Sequence, residues 1–255
     1  MTKKYVVANW KMSPTSTAEA EDILAYIDEY LKNKTNNKEH SLIICPPFVF
    51  LDDVSRVLNT SRLSQQAELG AQDIALADSG AWTGEVSGPM LKRLGVEYVI
   101  VGHSERRWKI NESNEVVNKK LKTILANDLT PIVCVGEKVR DENFKEFLKK
   151  QIEATFTGLS ADEIGKCLIA YEPVWAISSN PDARPDTPES ALESISIIQD
   201  CLTKSYSLMA NRYLYGGSIT ASNVQSFLSL EQIAGVLVGG ASVKKEEFVQ
   251  ILKNL

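Results

Sequence analysis

Short runs of apolar, β-prone residues recur along this chain, separated by longer segments whose apolar residues fall at helical spacing. The runs are Tyr5–Trp10, Ser41–Cys45, Glu68–Gln72, Glu97–Val101, Thr130–Val135, Cys167–Tyr171, Arg212–Tyr215 and Gly235–Val238. Most are hydrophobic throughout rather than alternating. That pattern predicts strands covered on both faces, as in a parallel sheet. The third, Glu-Leu-Gly-Ala-Gln, is the most polar. Between the runs, Ala18–Leu31 places Ile23, Ile27 and Leu31 on one helical face, and Glu115–Leu125 does so with Val117, Leu121 and Ile124. Thr187 before Pro188 reads as an N-cap and first-turn proline, opening a helix to Leu202. Val243–Leu255 predicts a closing helix.

Parallel neighbours need a crossover connection, usually a helix, so strand and helix repeated eight times predicts one parallel sheet. No Gly-, Ser- or Pro-rich linker divides the 255 residues. The expected architecture is therefore a single domain, 1–255, folded as a closed (β/α)8 barrel. An open doubly wound sheet is the alternative, but no GxGxxG follows the first strand.

A net charge of −5 argues against nucleic acid as a partner, and an anionic substrate would need its own local positive site. Cys45, Cys134, Cys167 and Cys201 form no CxxC or Cys/His cluster, so no metal site is expected and they read as small core residues. His40, in the polar stretch Lys38-Glu39-His40, reads as solvated. No stretch approaches the ~20 apolar residues of a membrane span, and no signal-peptide pattern opens the chain. A cytoplasmic protein without a membrane partner is expected.

In such a barrel the site forms where the strands end. The successive ends carry Asn9-Trp10-Lys11, Gly102-His103-Ser104-Glu105-Arg106-Arg107, Gly136-Glu137, Glu172-Pro173, Gly216-Gly217-Ser218 and Gly239-Gly240-Ala241-Ser242. Titratable groups thus gather on one rim from distant parts of the chain. Two Gly-Gly turns, after the last two strands and before helical stretches, suit a bound phosphate because glycine lets backbone amides approach an anion. Glu172 stands as a candidate base, His103 at a helix start as a neutral hydrogen-bond donor, and Lys11 as the local cation with Glu105 to hold it. Arg106 and Arg107 read equally well as a structural ion-pair cluster.

The segments 9–12 (Asn-Trp-Lys-Met), 80–87 (Gly-Ala-Trp-Thr-Gly-Glu-Val-Ser), 101–107 (Val-Gly-His-Ser-Glu-Arg-Arg), 131–137 (Pro-Ile-Val-Cys-Val-Gly-Glu), 170–177 (Ala-Tyr-Glu-Pro-Val-Trp-Ala-Ile), 215–219 (Tyr-Gly-Gly-Ser-Ile) and 237–242 (Leu-Val-Gly-Gly-Ala-Ser) together resemble the triosephosphate isomerase family, over nearly the whole chain. The resemblance implies a TIM barrel that interconverts dihydroxyacetone phosphate and D-glyceraldehyde 3-phosphate, in glycolysis and gluconeogenesis, without cofactor or metal. It implies Glu172 as the base, His103 as the electrophile, and Asn9 and Lys11 as substrate contacts. Phosphate contacts would come from amides of Ser178, Ser218, Gly239 and Gly240, with Glu105, Glu137 and Tyr215 in supporting places. The loop bearing Trp82 and Thr83 would enter a second subunit, making a homodimer. Enclosure beneath a lid is expected to raise the pKa of Glu172.

The chain departs from the family in that lid. Where the family usually continues Ala-Ile with Gly-Thr-Gly-Lys-Thr-Ala, this sequence runs Ser178-Ser179-Asn180-Pro181-Asp182-Ala183-Arg184-Pro185-Asp186-Thr187-Pro188, about three residues longer. Ser178 stands where a glycine amide would grip phosphate. A lid that closes by another hinge and a lid that leaks substrate to methylglyoxal are both open. So are a barrel that binds a phosphorylated ligand without catalysis and one that acts on another small sugar phosphate, although intact Asn9, Lys11, His103 and Glu172 argue against these two.

Overall fold

A computed structural model describes residues 3–32, 40–178, 180–206 and 212–254. Eight strands, β1 (Lys4–Asn9), β2 (His40–Cys45), β3 (Ala67–Ala71), β4 (Val96–Val101), β5 (Thr130–Val135), β6 (Leu168–Tyr171), β7 (Arg212–Tyr215) and β8 (Ile233–Val238), pair in parallel and in order. β8 returns to β1, with Tyr5 opposite Gly235 and Ala8 opposite Val238, so the barrel is closed. A side chain on Gly235 would collide with the Tyr5 backbone, which is why closure needs glycine there.

The described residues form ten helices: α1 (Thr17–Leu31), α2 (Leu51–Thr60), α3 (Gly88–Arg93), α4 (Ser104–Lys109), α5 (Asn114–Ala126), α6 (Phe144–Phe156), α7 (Ala161–Gly165), α8 (Pro188–Tyr206), α9 (Val224–Leu228) and α10 (Lys245–Lys253). Thr187 caps α8 as the sequence predicts, its Oγ1 accepting the Ser190 N–H at 3.2 Å. The helix runs four residues past Leu202. The final helix is shorter than predicted, because a 3-10 turn occupies Gly240–Val243; Leu255 lies outside the described residues.

The unbroken apolar strands are explained by two cores. Tyr5, Val7, Ile43, Ile132, Leu168 and Leu214 point into the barrel, while Val6, Ala8, Ile44, Val133 and Ile169 face the helices. Alternation is present in direction, but both directions are apolar, so the sequence does not alternate. Phe156, Phe227 and Phe248 fill the helix layer with almost no exposure, each worth ~1.5–3 kcal/mol of transfer free energy.

Several readings need correction: β1 starts and ends one residue early, so Trp10 lies beyond it, β6 starts one residue late, and β8 starts two residues early. β3 starts one residue early and ends at Ala71, which frees Gln72 for the rim. His40 is the half-buried first residue of β2 rather than part of a solvated stretch; Lys38 and Glu39 lie outside the described residues. The four cysteines are buried free thiols, as read.

Candidate active site

The ends of β1, β4, β6, β7 and β8 surround a cavity of about 280 Å³ lined by Asn9, Lys11, His103, Glu172, Ser178, Ser218, Gly239 and Gly240, among others. Lys11 enters it from a backbone bent into the left-handed region, φ 56°, which costs a non-glycine residue about 1–2 kcal/mol. Hydrogen bonds hold that bend. The Lys11 N–H donates to Asn9 Oδ1 at 3.1 Å, and Gln72 Nε2 donates to both Lys11 O and Cys45 O at 2.9 Å. The Lys11 ammonium then meets Glu105 Oε1 at 2.8 Å, so the cation is aimed by a carboxylate from the β4 end.

His103 is the residue before α4. Its Nδ1 accepts the Glu105 N–H at 3.2 Å, so the proton on Nε2 is the one that faces the cavity. Nε2 lies 2.9 Å from Glu172 Oε1, while the Ser104 N–H donates to Glu172 Oε2 at 2.8 Å. Glu172 is 2% exposed. Burial alone would push its carboxyl up, but His103, the Ser104 N–H and the Lys11 ammonium outweigh burial and hold it below the usual carboxylate range. The raised value expected of an enclosed Glu172 concerns the carboxylate beneath a closed lid; in the parked position two donors converge on it and lower it. Beneath it, burial and the adjacent Glu172 push the Cys134 thiol up, so Cys134 is a neutral floor of the site as well as core.

The shelf behind Glu172 is rigid. Glu172 N–H donates to Val135 O at 2.8 Å, and the backbone of Glu172 lies so close to Gly136 that no side chain fits there. Buried Arg107 donates to Gly102 O at 2.6 Å and Cys134 O at 3.2 Å, tying the β4 and β5 ends together. Arg106 instead joins an ion-pair cluster with Asp73 (2.8 Å) and Glu112 (3.2 Å). Glu137 Oε1 receives Tyr171 Oη at 2.8 Å and Trp175 Nε1 at 2.9 Å, fixing the chain just after Glu172. Tyr215 lies at the β7 end with its hydroxyl toward the Asp186 carboxylate, and burial raises its pKa.

Past Ile177, residues Asn180–Ala183 form a turn. Asn180 O accepts the Ala183 N–H at 3.1 Å, with Pro181 and Asp182 between them, a combination suited to a tight turn. The Arg184 N–H then returns to Trp175 O at 3.1 Å, and its guanidinium lies 5.2 Å from the Trp175 ring centroid. The extra length is thus folded back onto the start of the segment; Ser179 lies outside the described residues. The Ser178 N–H donates to Ser218 Oγ at 2.8 Å, and that hydroxyl donates to Ala176 O at 2.8 Å. The Ser178 amide lines the cavity but is already paired.

The structure therefore gathers Asn9, Lys11, His103, Glu172, Ser178, Ser218, Gly239 and Gly240 around one cavity and places Glu105 on Lys11 and Glu137 on the segment after Glu172. Trp82 and Thr83 stand apart, exposed on the loop after β3. Gln72, the Ser104 amide and Cys134 are site residues the sequence reading did not single out. Gln72 alone had a signal, its place at a strand end.

Residues 4–255 match the family model described as Triosephosphate isomerase. The chain is 39% identical to the triosephosphate isomerase of Dictyoglomus thermophilum over 260 residues, covering 100% of both chains. It is 39% identical to that of Alkaliphilus oremlandii over 258 residues, covering 99% of both, and 40% identical to that of Thermodesulfovibrio yellowstonii over 259 residues, covering 99% of this chain and 100% of the other. With this similarity running the full length of a closed eight-stranded barrel, the chain belongs to the triosephosphate isomerase family.

Proposed function

We propose that this chain interconverts dihydroxyacetone phosphate and D-glyceraldehyde 3-phosphate by moving a proton through an enediolate, with Glu172 as base and His103 and Lys11 stabilising the developing oxyanion. The observation that carries the reading is the meeting of a buried carboxylate, an imidazole donor and an ammonium at one cavity. A C–H beside a carbonyl is a weak acid, so the reaction needs both a placed base and a placed oxyanion partner. A positioned base typically contributes ~10²–10⁴-fold. One preorganised oxyanion donor is worth roughly 10²–10³ in kcat.

The parked geometry adds a step. His103 Nε2 spends its proton on Glu172, so an arriving carbonyl oxygen must take over that hydrogen bond. Glu172 then leaves His103 and Ser104 for the substrate carbon. Burial remains while its donors are lost, so its pKa rises and the carboxylate becomes a stronger base as it reaches the C–H. The phosphate is read onto the amides of Ser218, Gly239 and Gly240, with the Ser178 amide joining after release from Ser218 Oγ. Closure over the enediolate matters because its electrons can break the C–O bond to phosphate, expelling inorganic phosphate and leaving methylglyoxal.

The assembly we propose is a homodimer. Residues Gly80–Ser87 present Trp82, 49% exposed, on a loop braced by Ala75 N–H to Val86 O (2.8 Å) and Glu85 N–H to Trp82 O (3.1 Å). Beside the cavity Met12 is 95% exposed. A braced aromatic and a bare methionine suit a protein interface. Among the described residues no helix is long and apolar enough to cross a membrane, and a cytoplasmic location is part of this reading. Turnover of D-glyceraldehyde 3-phosphate in heavy water, followed by NMR, tests the chemistry. Product carrying deuterium on the carbon next to the carbonyl is expected; turnover with none, together with wild-type turnover by Glu172→Gln, would refute the base. Light scattering tests the dimer, and a monomer at micromolar concentration would refute it.

A further inference from the structure

We propose that Arg140 is a positioning residue for the reaction: it clamps the two ends of the segment 178–187 to one another through Glu137 on one side and α8 on the other. The proposal rests on reading that segment as the lid of an isomerase.

Arg140 lies between β5 and α6 with its side chain 15% exposed. One end of its guanidinium reaches toward the chain that precedes the lid. Nη1 donates to Glu137 Oε1 at 3.3 Å and to Tyr171 Oη at 3.4 Å. That same Glu137 oxygen accepts the Trp175 Nε1–H, and Glu137 O accepts the Val174 N–H at 3.1 Å. The guanidinium also reaches the helix that follows the lid. Nη1 donates to Ser194 Oγ, and Nη2 donates to Glu193 Oε2 at 2.6 Å and to Ser190 O at 3.5 Å. Phe144 packs against its plane, 3.7 Å from ring centroid to Cζ.

Residues 174–175 and 190–194 flank the lid, and one planar cation touches the anchors of both. Its charge matters as well as its shape. Glu137 is 1% exposed, and its second oxygen has no hydrogen-bond partner among the described residues. Arg140 supplies the cation that such a buried carboxylate needs. A lysine carries the charge but lacks the planar fork that serves two sides at once. Without the clamp, Glu137 loses its counter-charge, the Trp175 anchor loosens, and the lid's ends can move apart. A misplacement near 1 Å at a reacting centre can cost ~10²-fold.

The test compares wild type, Arg140→Met, Arg140→Lys, Trp175→Phe and the double variant Arg140→Met/Trp175→Phe with D-glyceraldehyde 3-phosphate. It reads kcat, KM, methylglyoxal formed per isomerisation, and the melting curve. We expect Arg140→Met to lower kcat by about 10–100-fold, to change KM much less, and to raise the methylglyoxal fraction. Arg140→Lys should recover little of this. The losses from Arg140→Met and Trp175→Phe should be less than multiplicative in the double variant, since both act through Glu137. A cooperatively folded Arg140→Met with wild-type kcat and methylglyoxal fraction overturns the proposal, as do fully multiplicative losses. If Arg140→Met fails to fold, Glu193→Gln/Ser194→Ala carries the same test from the α8 side, where an unchanged methylglyoxal fraction overturns it. A wild-type protein with no isomerase turnover refutes the functional reading itself, which separates that failure from this one.

Discussion

Glu172, His103 and Lys11 each leave the end of a strand that is hydrogen-bonded on both sides, whereas the described residues of 178–187 lie beyond any strand and are held by one turn and by contacts to Trp175 and Ser218. The rim inherits its precision from the barrel. The β5–β6 register places Val135 opposite Tyr171, and Glu172 N–H continues that ladder onto Val135 O. The cover has no ladder to inherit. It is shaped by Asn180 and Pro181, by the Arg184–Trp175 contact and by the Ser218 hydroxyl. Changes in the rim should therefore strike chemistry directly, and changes in the cover should act through closure.

The sharpest way to break the rim is Gly136→Ala. The added methyl meets the Glu172 backbone, which cannot turn aside as a side chain could. We expect a folding cost of about 1–3 kcal/mol, read by denaturant melts, together with a turnover loss comparable to losing the base, ~10²–10⁴-fold. His103→Ala leaves the backbone alone and removes the oxyanion donor; kcat should fall roughly 10²–10³-fold. On the cover, Ser218→Ala removes the hydroxyl that links Ser178 to Ala176. Its loss is worth about 1 kcal/mol, and kcat/KM should fall by only about fivefold to tenfold. A fall as deep as that of His103→Ala would erase the distinction between the two regions.

The smallest effect concerns pH. The folded pKa of Glu172 lies below its ordinary value of 4.5. Stability from its pairing is therefore present above the unfolded pKa and is lost as pH falls through the lower folded one. Once the titration of the substrate phosphate, near pH 6, is subtracted, the acid limb of kcat/KM should lie below that of an ordinary glutamate. Glu172→Gln should also flatten the acid limb of stability. An acid limb above the ordinary value would mean that the parked contacts to His103 and Ser104 do not form in solution.

Much of the rim is legible in sequence, for a physical reason. A strand buried on both faces must be apolar, so the first polar residue after each run marks where it emerges, and barrel closure brings those marks to one side. Glu172, His103 and Lys11 are readable in that way. Ser104 is not, because its contribution is a backbone N–H that any residue could supply. Arg140 is not, because nothing periodic orients a residue in the irregular connection after β5. Gln72 is partly hidden by the one-residue misplacement of β3. The cover shows the opposite fault. Asn180-Pro181-Asp182-Ala183 carries a turn signal, but its prolines read only as stiffening, and the pairing of Ser178 with Ser218 depends on two segments forty residues apart.

The central claim is that a carboxylate held at the end of β6 removes a proton from carbon. Glu172→Asp tests it most directly, since it keeps the charge and the fold while withdrawing the oxygens by one methylene. Steady-state turnover of D-glyceraldehyde 3-phosphate should fall by about 10²-fold or more, with KM changed little. Turnover equal to that of the wild type would contradict the account.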